Sequence, residues 1–176
     1  TGLNRIIVLC KSTLNKIAEN WIRKLRLEKH PEGGYYIETY RSTNSLEFRV
    51  DEPRVLFTEI YFMLVGCQFS SFHVMKSDEI WHFYSGSTNT LHIISYQGEF
   101  NENTLGKDVY NGNVFQAVVR AGSWFAASVD DIDSYSLVGC TAVPGFDFRD
   151  WKLGDRKTLL ELYPQHKLII EKYTNS

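Results

Sequence analysis

The sequence predicts an all-β fold, a double-sheet jelly-roll barrel with an N-terminal helix and short C-terminal helices. Three observations predict it. From Gly34 onward the chain breaks into short runs rich in Tyr, Phe, Val, Ile and Thr, interrupted by Gly, Asn, Asp and Ser at intervals of about ten residues. Eight such runs can be read off, enough for two packed sheets. Helical periodicity is confined to the two ends.

The first element is a helix over 13–25. Leu14, Ile17, Trp21 and Leu25 recur at three- and four-residue steps and form one apolar stripe, while Lys16, Glu19, Asn20 and Lys24 face water. Ser12 or Thr13 supplies the N-cap oxygen. The strands follow over 35–40, 56–65, 70–74, 79–85, 90–96, 113–120, 124–128 and 135–143. Between the first two, residues 43–54 are polar, end in Glu52-Pro53, and read as an exposed hairpin or loop. After Pro144 the pattern is irregular through GFDFRDWKLG, then helical over 156–163 and 165–173, with Pro164 breaking the two. The division is thus an N-terminal helical extension over 1–26 and one barrel with C-terminal helices over 27–176.

Composition excludes several functions. A chain of 176 residues, 43% hydrophobic and 14% aromatic, suffices for one well-filled core. Nineteen basic residues against twenty-one acidic leave a net charge of −2, and no Lys/Arg block tracks a phosphate backbone, so nucleic acid is not an expected partner. No apolar run reaches the roughly 18 residues of a membrane span, and Ile6 to Cys10 lacks a small-residue cleavage site, so neither a membrane partner nor export is expected. Cys10, Cys67 and Cys140 are odd in number and contain no CxxC pair. Cys67 and Cys140 read as reduced core residues, which favours an intracellular, cytoplasmic setting.

The segment from Gly66 to Gly86, GCQFSSFHVMKSDEIWHFYSG, carries most of the chemistry. Alternate residues of a strand share a face, so Ser71, His73 and Met75 point one way and Phe72 and Val74 the other; Glu79, Trp81 and Phe83 form a second set. A barrel lined by one imidazole, one carboxylate and several rings has a polar spot in an apolar cup, the usual build of a small-molecule site.

Gly66, His73, Glu79 and Gly86 resemble the first motif of the cupin superfamily, with one extra residue before the His. The resemblance implies a double-stranded β-helix. In metal-binding cupins three His and one Glu hold iron or manganese, and here Met75 replaces the second His. The second motif is matched in outline from Gly112 to Phe125, with Arg120 in place of its Pro and Phe125 in place of its His. Only His73 and Glu79 remain as metal ligands, so no cofactor is expected; a divalent metal, if bound, would use those two. His82 falls on the face opposite Glu79, and His92 lies a strand away.

The phrases HPEGGYYIETYRS, FHVMKSDEIWHFYSG, LVGCTAVPGFDFRDWKL and LLELYPQH, in this order over residues 30–166, resemble the cupin branch catalogued as a domain of unknown function, cupin family 5. This resemblance implies a commonly dimeric jelly roll of unestablished activity. Residues 32–41, EGGYYIETYR, are also similar to the opening of dTDP-4-keto-6-deoxysugar epimerases, at Gly34, Tyr36, Glu38 and Tyr40, with Gly33 where the epimerases carry Arg. That similarity implies an aromatic ring stacked on a base and a carboxylate meeting its N–H groups, with Arg41 on a phosphate. The alternative is that the two glycines form a tight turn and the tyrosines pack on the sheet.

The expected function is therefore a small-molecule binder holding a nucleotide, nucleotide sugar or other small anionic metabolite. Its ligand-binding residues are Gly34, Tyr36, Glu38, Arg41, Ser71, His82, His92 and Gln116, around His73 and Glu79. The alternative is a metal-independent sugar-nucleotide epimerase or isomerase with His73 as base and Glu79 or Asp147 as the carboxylate beside it. Its acid is Tyr84, Tyr135 or Tyr61, and Lys76 or Arg120 would meet an enolate. A metal-dependent oxygenase or isomerase is the third reading. The tail phrase from Pro144 to Trp151 either covers the barrel mouth with Asp147 aimed inward or seals it with Phe146, Phe148 and Trp151. A homodimer is expected, with the 35–41 segment as a pairing edge.

Overall fold

The structure, a computed structural model, describes residues 16–47 and 52–175. Helix α1 (Lys16–Leu25) leads into β1 (Glu28–Lys29), β2 (Tyr35–Arg41) and a hairpin of β3 (Ser45–Glu47) and β4 (Pro53–Val55). Then come β5 (Thr58–Val65), β6 (Phe69–Met75), β7 (Asp78–Gly86), β8 (Asn89–Ile94), β9 (Phe100–Leu105), β10 (Gln116–Val119), β11 (Trp124–Val129) and β12 (Tyr135–Val143). Strand β13 (Trp151–Leu153) and helices α2 (Arg156–Leu162) and α3 (Lys167–Lys172) close the chain. A six-stranded sheet ordered β1-β2-β5-β12-β7-β10 packs on a five-stranded sheet ordered β13-β6-β11-β8-β9. All named pairings in both are antiparallel.

The expected all-β jelly roll with helical ends is thus present. Its core lies between the sheets, where Phe62, Leu64, Trp81, Leu91, Phe125 and Val138 interdigitate. Each sheet is also covered on part of its outer face. Ala18, Trp21, Ile22 and Leu25 of α1 pack on Met63, Val65 and Leu137, and Trp21 donates to the Tyr135 hydroxyl at 3.0 Å. Leu159 of α2 and Ile170 of α3 pack on Phe72, Ile94 and Ala126. Burial on both faces explains why β8, NTLHII, is buried throughout and shows no polar alternation.

Two bulges break the period of two, and both shape the interior. On β6, Phe125 faces His73 and Ala127 faces Ser70, so β6 holds one residue more than β11. The extra residue brings Ser70 and His73, three apart, to the same polar group. On β2, Glu38 pairs with Ile60 and Tyr40 with Glu59, which leaves Thr39 extra and lets Glu38 and Arg41 share a face.

Several expectations are corrected. Strand β9, FNENTL, lacks the β-branched run a sequence pattern needs because it is a polar edge strand. Strand β13 hides in the stretch read as irregular, yet pairs with β6 at His73, Val74 and Met75. The 43–54 segment is a hairpin whose Arg54 is buried, gripping Asp150 through Nε at 2.6 Å and Nη2 at 3.1 Å. Cys140 is free and buried, but Cys67 is exposed and disulfide-bonded, its other half lying outside the described residues. A turn closed by Gln68 N–H on the Val65 carbonyl lifts Cys67 out of the sheet, and the argument from reduced thiols to a cytoplasmic setting goes with it. Ser12, Thr13, Leu14 and Cys10 lie outside the described residues. No described helix is long and apolar enough to cross a membrane.

Candidate functional site

The barrel encloses a cavity of about 600 Å³ between the sheets, open at the end where β2, β5 and β13 meet the Phe146–Trp151 segment. Its floor is polar. His73 is 1% exposed; its Nδ1 lies 2.7 Å from the Ser71 carbonyl, and its Nε2 lies 3.2 Å from Glu32 Oε2. A carbonyl only accepts, so Nδ1 carries the hydrogen and Nε2 keeps the basic lone pair.

Glu32 is held from three sides. Ser70 donates to its Oε1 at 2.8 Å, Trp151 Nε1 donates to its Oε2 at 3.3 Å, and its backbone N–H donates to His30 Nδ1 at 3.3 Å. The turn that carries it closes through His30 N–H on the Gly34 carbonyl and Gly33 N–H on the His30 carbonyl. A Cβ at Gly33, where φ is +115°, would stand 2.1 Å from the Phe69 carbonyl oxygen, so the turn needs glycine there to press Glu32 against β6.

Glu79 faces this floor from β7, accepting from Trp81 Nε1 at 2.8 Å. Burial pushes its pKa up to about 8, and the charge of Glu32 adds to the rise. Burial likewise raises Glu32, while it lowers His30 and brings His73 down to about 4 despite the Ser71 carbonyl. Near neutral pH the floor is therefore composed of uncharged imidazoles beside carboxyl groups that hold their protons unusually long.

The walls are aromatic. Tyr36 meets His30 edge to face at 4.5 Å, and Phe148 meets Phe146 at 4.9 Å and Trp151 at 5.9 Å. At the mouth Arg41 donates through Nε and Nη2 to Glu38, at 2.9 and 2.6 Å, and through Nη1 to the Phe146 carbonyl at 3.2 Å. Asp147 accepts from Arg149 at 2.6 Å, and this hydrogen-bonded partner holds its carboxyl below the usual range. The tail phrase lines the opening instead of plugging it, with Phe148 54% exposed.

Of the residues singled out in the sequence, His73, Glu79, Tyr36, Glu38, Arg41 and Asp147 line this cavity. Gly34 and Ser71 lie behind the 30–34 turn, on a separate recess of about 350 Å³, because the β6 bulge turns Ser70 and not Ser71 toward Glu32. His82 and Gln116 bond each other at 3.0 Å away from the cavity, as alternation from Glu79 requires, and His82 also meets Thr141. His92 packs on Tyr173 beneath the C-terminal helices and bonds Glu102 and Ser128. None of Tyr61, Tyr84 or Tyr135 lines the cavity; Lys76 and Arg120 lie outside it, paired with Asp150 and Asp78. The residues missed were His30 and Glu32. Their signal was the Gly33-Gly34 pair, which marks a turn tight enough to push its preceding residues into the barrel end.

The ligand set for a cupin metal does not fit. Among the described residues no group of three or more His, Cys, Asp or Glu is gathered to hold an ion. Phe125 stands across from His73 with its ring 4.0 Å from the imidazole, Met75 lines the cavity, and both His73 nitrogens already face oxygens.

A family model described as "Cupin superfamily (DUF985)" matches residues 19–154. A hypothetical protein from Leishmania major superposes with a TM-score of 0.86 at 34% identity, covering 90% of this chain and 99% of that one. Protein SO0799 from Shewanella oneidensis does so with a TM-score of 0.83 at 39% identity, covering 90% and 97%. The uncharacterized protein YML079W of Saccharomyces cerevisiae is 30% identical over 155 residues, 79% of this chain and 74% of its own.

Proposed function

This chain belongs to the cupin superfamily, in the DUF985 family, and on that footing we propose that it binds a small molecule inside the barrel without a metal ion. The observation that carries this reading is the cavity itself: buried titratable groups at its floor, rings along its walls and an ion-paired arginine at its mouth. A closed apolar core would have no reason to hold Glu32, Glu79, His30 and His73 together, because each costs desolvation that the bonds from Ser70, Trp151 and Trp81 and to the Ser71 carbonyl offset only in part. For a nucleotide, the offer is the Tyr36 ring for a base and Arg41 for a phosphate. The test is a thermal-shift and calorimetric screen of nucleotides, sugar nucleotides, uncharged sugars and Mn²⁺ or Fe²⁺. Small molecules are expected to raise the melting temperature and the metal ions are not; stabilisation by metal ions alone overturns the proposal.

A second reading, metal-free proton transfer of the epimerase or isomerase kind, is favoured by one observation. The basic Nε2 of His73 and the Glu32 carboxyl stand 3.2 Å apart, with a proton-holding Glu79 on the same cavity. Deuterium from solvent entering a keto sugar, and failing to enter with His73→Ala, supports it; no exchange over a panel of keto sugars leaves the binder. A homodimer is proposed alongside. Among the described residues no strand pairs the outer edge of β2 beyond Tyr36, and light scattering at monomer mass would remove that proposal.

A further inference from the structure

We propose that the ligand of this cavity carries a protonated amine, seated against the Glu79 carboxyl with its carbon skeleton on the aromatic wall. The inference rests on the cavity-binding reading above and names the class of ligand. It reverses the expectation of an anion.

The lining is rich in carboxyl groups and poor in cationic ones. Five carboxyl groups, those of Glu28, Glu32, Glu38, Glu79 and Asp147, line the cavity against a single guanidinium, Arg41. That guanidinium is already matched bidentately by Glu38. An incoming phosphate or carboxylate would have to displace Glu38 and then lie among four further carboxyl groups, of which Asp147 is ion-paired with Arg149.

Glu79 shows where the missing positive charge belongs. It is 8% exposed, its Oε2 accepts from Trp81, and its Oε1 is left for the cavity. Glu32 acts on it electrostatically, and among the described residues no lysine or arginine stands with the two. An ammonium beside Oε1 would be a charge-assisted donor to an acceptor that otherwise has none. Tyr36, Trp151, Phe146 and Phe148 offer ring faces, and cations are drawn to such faces as well as to carboxylates.

Binding should expel the Glu79 proton to solvent while the amine keeps its own. The groups facing Glu79 are Glu32 and His30 from the 30–34 turn, His73 from β6 and Cys140 from β12; Ala142 and Val119, directly opposite it, carry no charge. Burial keeps both imidazoles and the Cys140 thiol uncharged near neutrality, and it raises both carboxyl groups, Glu79 to about 8.

Three probes of one shape test this: benzylamine, benzyl alcohol and benzoate, titrated by calorimetry into the full chain at pH 7. Benzylamine should bind about tenfold or more tighter than benzyl alcohol, and benzoate weakest. Its heat should depend on the buffer's ionisation enthalpy in the sense of proton release. Glu79→Gln should bring amine and alcohol to within about twofold of each other. Should that variant fail to fold, the ranking of the three probes on the unaltered chain decides. Benzyl alcohol or benzoate binding as well as benzylamine would overturn the amine and leave the cavity reading standing. No binding by any of the three would count against both.

Discussion

Two buried histidines in this barrel each stand beside a glutamate, and only one belongs to a candidate site. His73 lies 3.2 Å from Glu32, and His92 lies 2.7 Å from Glu102. The His92 pair has the shorter distance, a second bond to Ser128 and a stacked Tyr173 ring at 4.4 Å. Its glutamate side chain is 48% exposed, whereas that of Glu32 is 8% exposed. A half-exposed carboxylate is solvated from one side and merely anchors its imidazole. One enclosed beside a cavity has its pKa raised by burial and has a ligand volume in front of it. Proximity of His to Glu therefore does not make a site; the enclosure of the carboxyl does.

The largest expected effect comes from that enclosure. Folded protein keeps a proton on Glu79 up to about pH 8 that the unfolded chain sheds near 4.5, so stability falls as pH rises through that window. The full swing is on the order of 5 kcal/mol. His73 acts with the opposite sign: the unfolded chain takes up a proton below about 6.5 that the folded one refuses until about 4, so stability falls on acidification, by about 3 kcal/mol. The two oppose each other between 4.5 and 6.5, and above 6.5 only the Glu79 loss remains, about 2 kcal/mol by pH 8. Urea midpoints at pH 6.5 and 8 should show this fall in the unaltered chain and little of it in Glu79→Gln. An equal fall in both would mean that Glu79 is wet and the comparison between the two regions void.

Next in size are the imidazoles themselves. His92→Ala removes bonds to Glu102 and Ser128 and a stacked ring, and should cost about 2 kcal/mol by chemical denaturation while leaving cavity binding unchanged. His73→Ala should cost a similar amount, because it unpairs the Ser71 carbonyl and bares the Phe125 ring, and should also change ligand affinity. Loss of binding in His92→Ala would break the division between the two pairs.

The sheets, the helical ends and the depletion of metal ligands were legible because each is written as a period or a replaced residue. Alternation from Glu79 is enough to send His82 outward, and Phe125 at the motif's His position is visible without coordinates. What alternation hides is where it fails. The extra residue in β6 exchanges Ser71 for Ser70, and the turn at Gly33 brings in Glu32 from a segment that pattern treats as punctuation. Whether His92 faces the core or the underside of α3 depends on which sheet face the C-terminal helices cover, and that is a long-range fact.

The smallest effect should sit at the mouth, in the pair that the β2 bulge makes. Glu38 and Arg41 meet at 2.6 Å with side chains 37% and 43% exposed, so solvent screens their attraction, and Glu38→Gln should cost under about 1 kcal/mol by chemical denaturation. Glu32→Gln, in the enclosed floor, keeps the shape but changes the donors and acceptors facing His73, Ser70 and Trp151, and should cost about 1 to 3 kcal/mol. The ratio of those two losses measures the enclosure directly. Equal losses would mean that the floor is as open to water as the rim, and the cavity would then have no means of holding carboxyl groups in their protonated form.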